Sequence, residues 1–158
     1  MKNIIRNSIL CLSILLLTVA CAASDISKYG GYLPSADPAA DLANAKALAI
    51  KTDRKILIIA GGDWCRWCHA LNKFLANNKD VHNELDKTFV VVKVYLGDEK
   101  DNEEFFSKLP TASGYPHFWV LSSKGELIKS VETGNLEQGE DSYNKSKFLE
   151  FIGTYNGL

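Results

Sequence analysis

The stretch ILIIAGGDWCRWCH, residues 56–69, decides the fold, because an apolar run, two glycines and a C-x-x-C pattern follow one another without interruption. Its first five residues are all apolar, which is typical of a strand buried on both faces in the middle of a sheet. Gly61 and Gly62 allow the chain to turn after this strand. A helix is predicted from about residue 64 to residue 77, since apolar residues recur along one stripe of that segment. The two cysteines therefore stand where a buried strand gives way to the first turn of a helix.

Cys65 and Cys68 are placed for thiol-disulfide chemistry. The two residues between them bring their sulfur atoms close enough to bridge within the first helical turn. Cys65 lies at the helix N-terminus, where unpaired N–H groups and the helix dipole stabilise a thiolate. Cysteines in such positions have pKa values of about 3.5–7.5, and Arg66 adds a neighbouring positive charge. Cys68, one turn further in, is expected to be more buried and to attack a mixed disulfide from within.

The other elements are predicted from hydrophobic periodicity and from residues that begin or end helices. Asp37 is predicted to cap a helix that starts at Pro38 and runs to about residue 52. Pro110 is predicted to end a helix over 102–109, and Asp141 or Ser142 to cap the last helix. A short helix is predicted over 80–86 and two apolar strands over 89–92 and 118–121. A hairpin turn over 122–125 then leads to an edge strand over 126–132. This order predicts an α/β fold with parallel strands first and a hairpin last.

The motif and the order of elements together resemble the thioredoxin-fold thiol-disulfide oxidoreductases. Trp64-Cys65-Arg66-Trp67-Cys68 stands where that family has its W-C-x-x-C motif. Tyr115-Pro116 stands where the family has a cis-proline, just before a core strand. The resemblance covers about residues 38–155, and a thioredoxin-like domain is predicted over 38–158. It implies a central mixed sheet of about four strands with helices on both faces.

The resemblance also implies a role for each site residue. Cys65 would be the nucleophile and Cys68 the resolving thiol of a redox-active disulfide. Tyr115 and Pro116 would form the loop that docks an extended substrate through backbone hydrogen bonds, with a cis bond between them. No cofactor and no metal is implied, because the dithiol itself carries the electrons. The substrates would be protein disulfides or dithiols, and a membrane redox partner would recycle the pair.

Two positions depart from the thioredoxin pattern. Thioredoxins have a buried Asp six residues before the first cysteine, which assists deprotonation of the second, and here that position is Ile59. The pair between the cysteines is Arg66-Trp67 instead of Gly-Pro. Both changes alter the balance between thiolate and disulfide, so reduction, oxidation and isomerisation all stay open as directions of the reaction.

The neighbours of the cysteines allow more than one interpretation. Trp64 either packs at the end of the strand or contributes to an apolar rim for substrates, whereas Trp67 is expected to be exposed in such a rim. His69 is expected to lie on the helix beside the site, where it would tune Cys65 or Cys68.

A second class of function is a c-type haem electron carrier. The segment from Cys65 to His69 satisfies the C-x-x-C-H attachment motif, with His69 as the proximal ligand. His82 or His117 would then be the sixth ligand of the iron. A purely structural disulfide, a zinc site and a non-catalytic binding module of thioredoxin fold are further alternatives.

Composition limits the class of protein. The chain has 158 residues, enough for one compact domain, and its 46% hydrophobic content excludes a disordered chain. The formal net charge is −1, so no nucleic-acid partner is predicted. Four cysteines are too few for a disulfide-framework mini-protein, so apolar packing must provide the core.

Residues 1–22 are predicted to be a bacterial secretory signal. Lys2 and Arg6 form its basic start, and residues 9–19 form an apolar run shorter than the roughly 20 residues that span a membrane. The sequence LTVAC at 17–21 resembles a lipobox, in which Cys21 becomes the lipidated first residue of a lipoprotein. An ordinary signal-peptidase site at 20–22 and a retained anchor helix are the alternatives.

The location follows from this signal. Export to the bacterial cell envelope is expected, with the protein periplasmic and anchored to the membrane only through a lipid on Cys21, or otherwise soluble in the periplasm. Residues 23–37 mix Gly, Ser, Pro and Asp without periodicity and are predicted to be a tether or an irregular lead-in to the domain.

Overall fold

The computed structural model describes residues 30–157. The helices, named in chain order, are α1 Pro38–Thr52, α2 Arg66–Asn77, α3 Lys79–Thr88, α4 Glu103–Phe106 and α5 Lys145–Gly153. The strands are β1 Lys55–Gly61, β2 Phe89–Tyr95, β3 His117–Leu121, β4 Leu127–Glu132, β5 Glu137–Gln138 and β6 Ser142–Tyr143, with a 3₁₀ turn at Thr133–Leu136. The predicted signal, Cys21 and residues 23–29 of the predicted tether lie outside the described residues. Over the range 30–157, no helix combines the length and the apolar character needed to cross a membrane.

The main sheet is mixed and has four strands in the order β2-β1-β3-β4, which confirms the predicted fold class. β1 pairs in parallel with β2 and antiparallel with β3, and β3 pairs antiparallel with β4. β1 therefore has a hydrogen-bonded neighbour on each side. The short β5–β6 hairpin forms a separate two-stranded sheet.

Side chains of the sheet alternate between two cores on its opposite faces. On one face, Leu57 and Ile59 of β1 pack with buried residues of α2, α3 and α5. On the other face, Ile56 and Ile58 pack with α1 and with partly buried side chains of α4. All four are at most 1% exposed, and burying one such aliphatic side chain contributes about 1.5–3 kcal/mol. Both faces of β1 are thus covered, as the unbroken apolar run indicates.

Helix α1 begins and ends where the sequence predicts. The Asp37 carboxylate accepts hydrogen bonds from the N–H groups of Ala39 at 2.9 Å and Ala40 at 3.2 Å, and Pro38 is the first helical residue. Asp53 ends the helix in the left-handed conformation, with φ of 51°. An N-cap of this kind stabilises a helix by about 1 kcal/mol.

Helix α4 is shorter than the helix predicted over 102–109. Asn102 has φ of 51°, and its side-chain amide donates a hydrogen bond to the Tyr95 carbonyl at 2.8 Å, so the helix begins only at Glu103. After Phe106, the N–H groups of residues 108 and 109 bond to carbonyls three residues back. Such bonds form tight turns in place of a continued α-helix.

The predicted cap of the last helix at Asp141 or Ser142 is wrong. Ser142 lies in β6, and the cap is Asn144, whose side chain accepts a hydrogen bond from the N–H of Lys147 at 3.0 Å. Asp, Ser and Asn are all good N-cap residues, so local preference does not choose among them. The pairing of β6 with β5 makes the choice, because it holds the preceding residues in a strand.

Candidate active site

Cys65 lies between β1 and α2 and caps the helix. Its N–H donates a hydrogen bond to the Gly62 carbonyl at 3.1 Å, which closes a tight turn after the strand. Its own backbone is extended, and its Sγ accepts a hydrogen bond from the N–H of Cys68 at 3.1 Å. The sulfur therefore occupies the place of an N-cap side chain, where the free N–H groups of the first turn stabilise negative charge.

Cys65 and Cys68 form a disulfide, with their sulfur atoms 2.11 Å apart and their Cα atoms 5.2 Å apart. The bridge that the C-x-x-C spacing predicts is therefore present. In this state the two residues are 3% and 1% exposed, so the expected difference in burial is small. Their positions differ more, because Cys65 caps the helix whereas Cys68 lies inside its first turn.

Pro116 lies at the same end of the sheet as the cysteine turn, and the Tyr115–Pro116 peptide bond is cis, as predicted. β3 begins at the next residue, His117, which pairs with Ala60 of β1. The Tyr115–Pro116 loop therefore stands opposite the end of β1 from which the cysteine turn departs. The Pro116 carbonyl accepts a hydrogen bond from the Thr133 hydroxyl at 2.8 Å.

A groove of about 270 Å³ runs beside this loop. Its walls include Trp67, Gly114, Tyr115, Pro116, Glu132 and Thr133. Because Trp67 lies between the two cysteines in the chain, the groove borders the cysteine turn. The groove therefore lies between the proline loop and the residue that precedes Cys68.

Trp64 is exposed and reaches the proline loop. It is 58% exposed, its Nε1–H donates to the Leu96 carbonyl at 2.6 Å, and its ring meets the ring of Tyr115 edge-on. Of the two predicted environments for Trp64, the exposed one is observed. The prediction that Trp67 is exposed is wrong, because Trp67 is half-buried with its ring edge-on to Tyr143. Tyr143 belongs to β6, which packs against α2 and covers this side of the helix.

Arg66 and His69 are both exposed at the start of α2. The Nε2 atom of His69 lies 2.8 Å from the carbonyl oxygen of Asp63, to which it donates a hydrogen bond. This bond ties the imidazole to the turn before the helix. The first turn of α2 thus presents a guanidinium and an imidazole to solvent beside the disulfide.

Tyr32 is a site residue that the sequence analysis did not identify. It belongs to residues 30–37, which contain no helix or strand, yet it is 4% exposed and lies in the same core cluster as both cysteines. Its hydroxyl is buried and has no hydrogen-bond partner. Burial, with smaller contributions from Tyr143 and Asp63, raises the pKa of Tyr32 above its usual range, so the phenol stays protonated at neutral pH. No periodicity in the segment around Tyr32 marks this burial.

Lys93 holds the segment that carries Tyr32. Its Nζ lies 4.2 Å from the centre of the Tyr32 ring, donates to Asn72 Oδ1 at 2.8 Å and donates to the carbonyl of Gly30. Burial lowers the pKa of Lys93 to about 8, although the Asp63 carboxylate acts in the opposite direction. A single charged residue in the apolar run of β2 is the signal that could have marked this position.

Gly61 is the point at which Cys68 and Tyr32 meet. A Cβ atom placed on Gly61 would lie within 2.7 Å of Tyr32 Oη and closer still to Cys68 Sγ. The hydroxyl oxygen and the sulfur are therefore separated by at most twice that distance. The glycine that allows the turn after β1 also allows this close approach.

The position that carries a buried acid in thioredoxins is apolar here. Ile59 is buried and pairs with Lys93 across β1 and β2. Tyr32 and Lys93 supply the polar groups on this side of the cysteines. Among the residues from 30 to 157, no three His, Cys, Asp or Glu side chains are grouped so as to hold a metal ion.

Comparisons with known proteins agree with this architecture. The model of a family described as thioredoxin-like matches residues 37–123. A disulphide isomerase from Xylella fastidiosa Temecula1 is similar in structure, with a TM-score of 0.65 and 27% identity over 78% of this chain and 94% of that chain. The oxidised C-terminal domain of Neisseria meningitidis DsbD is similar with a TM-score of 0.57 and 17% identity, over 80% of this chain and 100% of that chain. A thioredoxin from Thermus thermophilus has a TM-score of 0.51 and 23% identity, over 71% and 81% of the two chains. No curated protein sequence matches the chain.

The family match covers more than half of the chain and includes the features on which the site depends. Within it lie β1, the Cys65–Cys68 disulfide at the start of α2, and Pro116 ahead of β3. The observed strand order is the mixed, four-stranded one that the resemblance implies. The chain therefore belongs to the thioredoxin-like family, the thioredoxin-fold thiol-disulfide oxidoreductases whose motif it carries at Trp64–Cys68.

Proposed function

We propose that the protein is a thiol-disulfide oxidoreductase that acts on disulfides or dithiols of other proteins in the bacterial cell envelope. The observation that carries this proposal is the Cys65–Cys68 disulfide at the N-terminus of α2, at the same end of the sheet as the Tyr115–Pro116 loop. The similarity to a protein named as a disulphide isomerase, over most of both chains, supports it.

In the reducing direction, the Cys65 thiolate attacks one sulfur of a substrate disulfide. The other substrate sulfur leaves and takes up a proton, and a mixed disulfide joins Cys65 to the substrate. Cys68 then loses its proton and attacks Cys65 Sγ, which forms the Cys65–Cys68 disulfide and releases the second substrate sulfur as a thiol. The substrate gains two electrons and the dithiol loses two, and oxidation of a substrate dithiol is the same sequence in reverse.

The surroundings of Cys65 favour it as the nucleophile. The N–H of Cys68 donates to Cys65 Sγ at 3.1 Å, and the same bond is available to a thiolate. Negative charge at a helix N-terminus is stabilised by the helix dipole, which lowers the pKa of a thiol placed there. Tyr115 and Pro116 would dock the substrate backbone, with exposed Trp64 as an apolar contact beside them.

The roles of the two cysteines are tested by reduction of insulin disulfides with a dithiol as electron donor. Cys65→Ala is expected to abolish turnover, whereas Cys68→Ala is expected to accumulate covalent adducts on Cys65 that mass spectrometry detects. Cys21→Ser, a substitution of a cysteine outside the motif, serves as the matched control and should turn over as the wild type does. Turnover that persists in Cys65→Ala would contradict the assignment.

Export and a lipid anchor on Cys21 complete the proposal, with a membrane redox partner that recycles the dithiol. An inhibitor of signal peptidase II is expected to cause the unprocessed precursor to accumulate, and Cys21→Ser, which lacks the thiol that would carry the lipid, is expected to do the same. Normal processing in the presence of the inhibitor would instead favour the ordinary cleavage site at 20–22.

The c-type haem alternative receives less support from the site. The Cys65 and Cys68 sulfurs are bonded to each other, and the Nε2 of His69 is engaged by the Asp63 carbonyl. His117, one of the two candidate sixth ligands, has its Nε2 2.8 Å from the Ser130 hydroxyl. A Soret band in the purified protein would favour the haem carrier, and a site inert towards insulin would favour a binding module.

A further inference from the structure

We infer that the Tyr32 hydroxyl donates a hydrogen bond to the Cys68 thiolate in the reduced protein and so takes over the task of the buried acid of thioredoxins. The inference rests on the proposed function in one respect, the role of Cys68 as the resolving thiol. Tyr32, in the irregular segment before α1, would thereby stabilise the Cys68 thiolate.

The Tyr32 hydroxyl is unused in the oxidised protein. Tyr32 Oη is buried and has no hydrogen-bond partner while Cys65 and Cys68 are joined. A buried hydroxyl that loses its water without gaining a partner raises the free energy of the state that contains it. The oxidised protein therefore carries a cost that a new acceptor near Tyr32 would remove.

Cys68 Sγ is the acceptor that reduction would offer to this hydroxyl. Cys68 Sγ and Tyr32 Oη both crowd the space beside Gly61, within 2.7 Å of where a Cβ atom would lie. Reduction turns the Cys68 sulfur from half of a disulfide into a thiol or thiolate, and hydrogen bonds to an ionised acceptor are about twice as strong as neutral ones. The same hydroxyl is thus unpartnered in the oxidised state and provided with an acceptor in the reduced state.

The Tyr32 phenol is protonated at neutral pH. Burial raises the pKa of Tyr32, so its proton is present and can be donated throughout the neutral range. The charged and titratable groups that act on it are Lys93 over its ring, the Asp63 carboxylate and the Tyr143 phenol. Tyr32 keeps its own proton in the reaction, and the proton of the Cys68 thiol passes to the departing substrate sulfur.

Lys93 holds Tyr32 and its segment in place. Lys93 caps the face of the Tyr32 ring and donates to the carbonyl of Gly30, so it fixes the segment on both sides of Gly31. Lys93 acts through Tyr32 and is a positioning residue. The family match begins at residue 37, so Tyr32 lies outside the matched part of the chain.

The decisive measurement is the pH dependence of Cys68 alkylation. In a Cys65→Ala background, peptide mass spectrometry measures alkylation of Cys68 separately, because Cys11 and Cys21 lie in other peptides. Tyr32→Phe is expected to raise the apparent pKa of Cys68 and to slow its alkylation at pH 7 by about tenfold, the loss expected for one hydrogen bond to a charged group. Tyr155→Phe, which removes the hydroxyl of another tyrosine in the same core cluster, should leave the profile unchanged. Identical profiles for Tyr32→Phe and its parent would overturn the inference.

A second measurement separates this role from simple packing. In equilibrium with glutathione, Tyr32→Phe is expected to favour the Cys65–Cys68 disulfide by about tenfold, which corresponds to about 30 mV. Thermal unfolding should show the oxidised variant at least as stable as the wild type, since an unpartnered oxygen is removed, and the reduced variant less stable. Equal loss of stability in both redox states would mean that Tyr32 is only structural. Neither measurement requires turnover, so a wild-type protein inert towards insulin would defeat the proposed function and leave the Tyr32 inference standing.

Discussion

The indole ring of Trp64 meets the ring of Tyr115 edge-on, with 5.6 Å between the ring centroids. This contact joins the cysteine turn to the proline loop, two segments that are far apart in the chain. Because Trp64 is also largely exposed, the pair forms an apolar surface beside the disulfide at which a substrate segment could dock.

Trp64→Ala is expected to lower kcat/KM for insulin reduction by about two- to tenfold, mainly through a higher KM, because aromatic contacts of this kind contribute about 0.5–1.5 kcal/mol. Global stability should change little, since the side chain is exposed. Leu127→Ala is the matched control, because Leu127 is an exposed apolar residue on β4. An equal change in both variants would argue against a substrate contact at Trp64.

Replacing Cys65 in two ways tests whether its sulfur caps α2. In reduced protein, where neither variant can form the disulfide, Cys65→Ser is expected to be more stable than Cys65→Ala by about 1 kcal/mol, since Ser can accept the hydrogen bond from the N–H of Cys68. Urea unfolding of both variants measures the difference. Equal midpoints would show that the side chain at 65 contributes nothing to the cap.

Gly61→Ala is expected to destabilise the protein by about 1–3 kcal/mol, the usual cost of overpacking a core. The new methyl group would overlap Cys68 Sγ and Tyr32 Oη. Gly114→Ala, in the groove loop, is the matched control because a Cβ there meets no atom within 4 Å. Denaturant unfolding of the oxidised proteins gives the comparison, and a Gly61→Ala protein as stable as wild type would mean that the space behind Cys68 is not filled as described.

The titration of Lys93 predicts that stability rises with pH in a defined window. Its pKa is about 8 in the folded protein and 10.5 in the unfolded chain, so between these values the unfolded state binds more protons. Stability therefore increases as the pH rises from about 8. The trend reverses above about pH 10, because tyrosines ionise in the unfolded chain whereas buried Tyr32 and Tyr143 stay protonated in the folded protein.

Unfolding free energies of the oxidised protein at pH 7.5, 8.5 and 9.5 measure this slope. Lys93→Met is expected to flatten this slope, because the half-buried ammonium is absent. Lys129→Met, which replaces an exposed lysine on β4, should retain the wild-type slope. A slope that survives in Lys93→Met would assign the effect to another group.

Much of the fold could be predicted from local pattern. The three apolar runs became β1, β2 and β3, and Asp37 and Pro38 began α1 as expected. Errors occurred where several residues could perform the same local task. Asp141, Ser142 and Asn144 can all cap a helix, and only the pairing of β5 with β6 selected Asn144.

The candidate site was likewise only partly predictable from local sequence. The disulfide of Cys65 and Cys68 and the cis bond before Pro116 were predicted from motifs that are short and local. Trp67 was misjudged because its burial depends on Tyr143, which is 76 residues away in the chain but packs against it in the fold. Tyr32 was overlooked because no neighbour in its own segment indicates that it is buried.

The amino-acid sequence alone determined that two sulfurs would meet at the start of a helix, because strand, turn and helix there depend on residues a few positions apart. Only the tertiary structure decided what surrounds the second sulfur. Tyr32, Gly61 and Lys93 come from three separate segments. Packing of α2 and of the segment before α1 against the sheet brings the Tyr32 hydroxyl to Gly61 and Cys68, with the half-buried ammonium of Lys93 over the tyrosine ring.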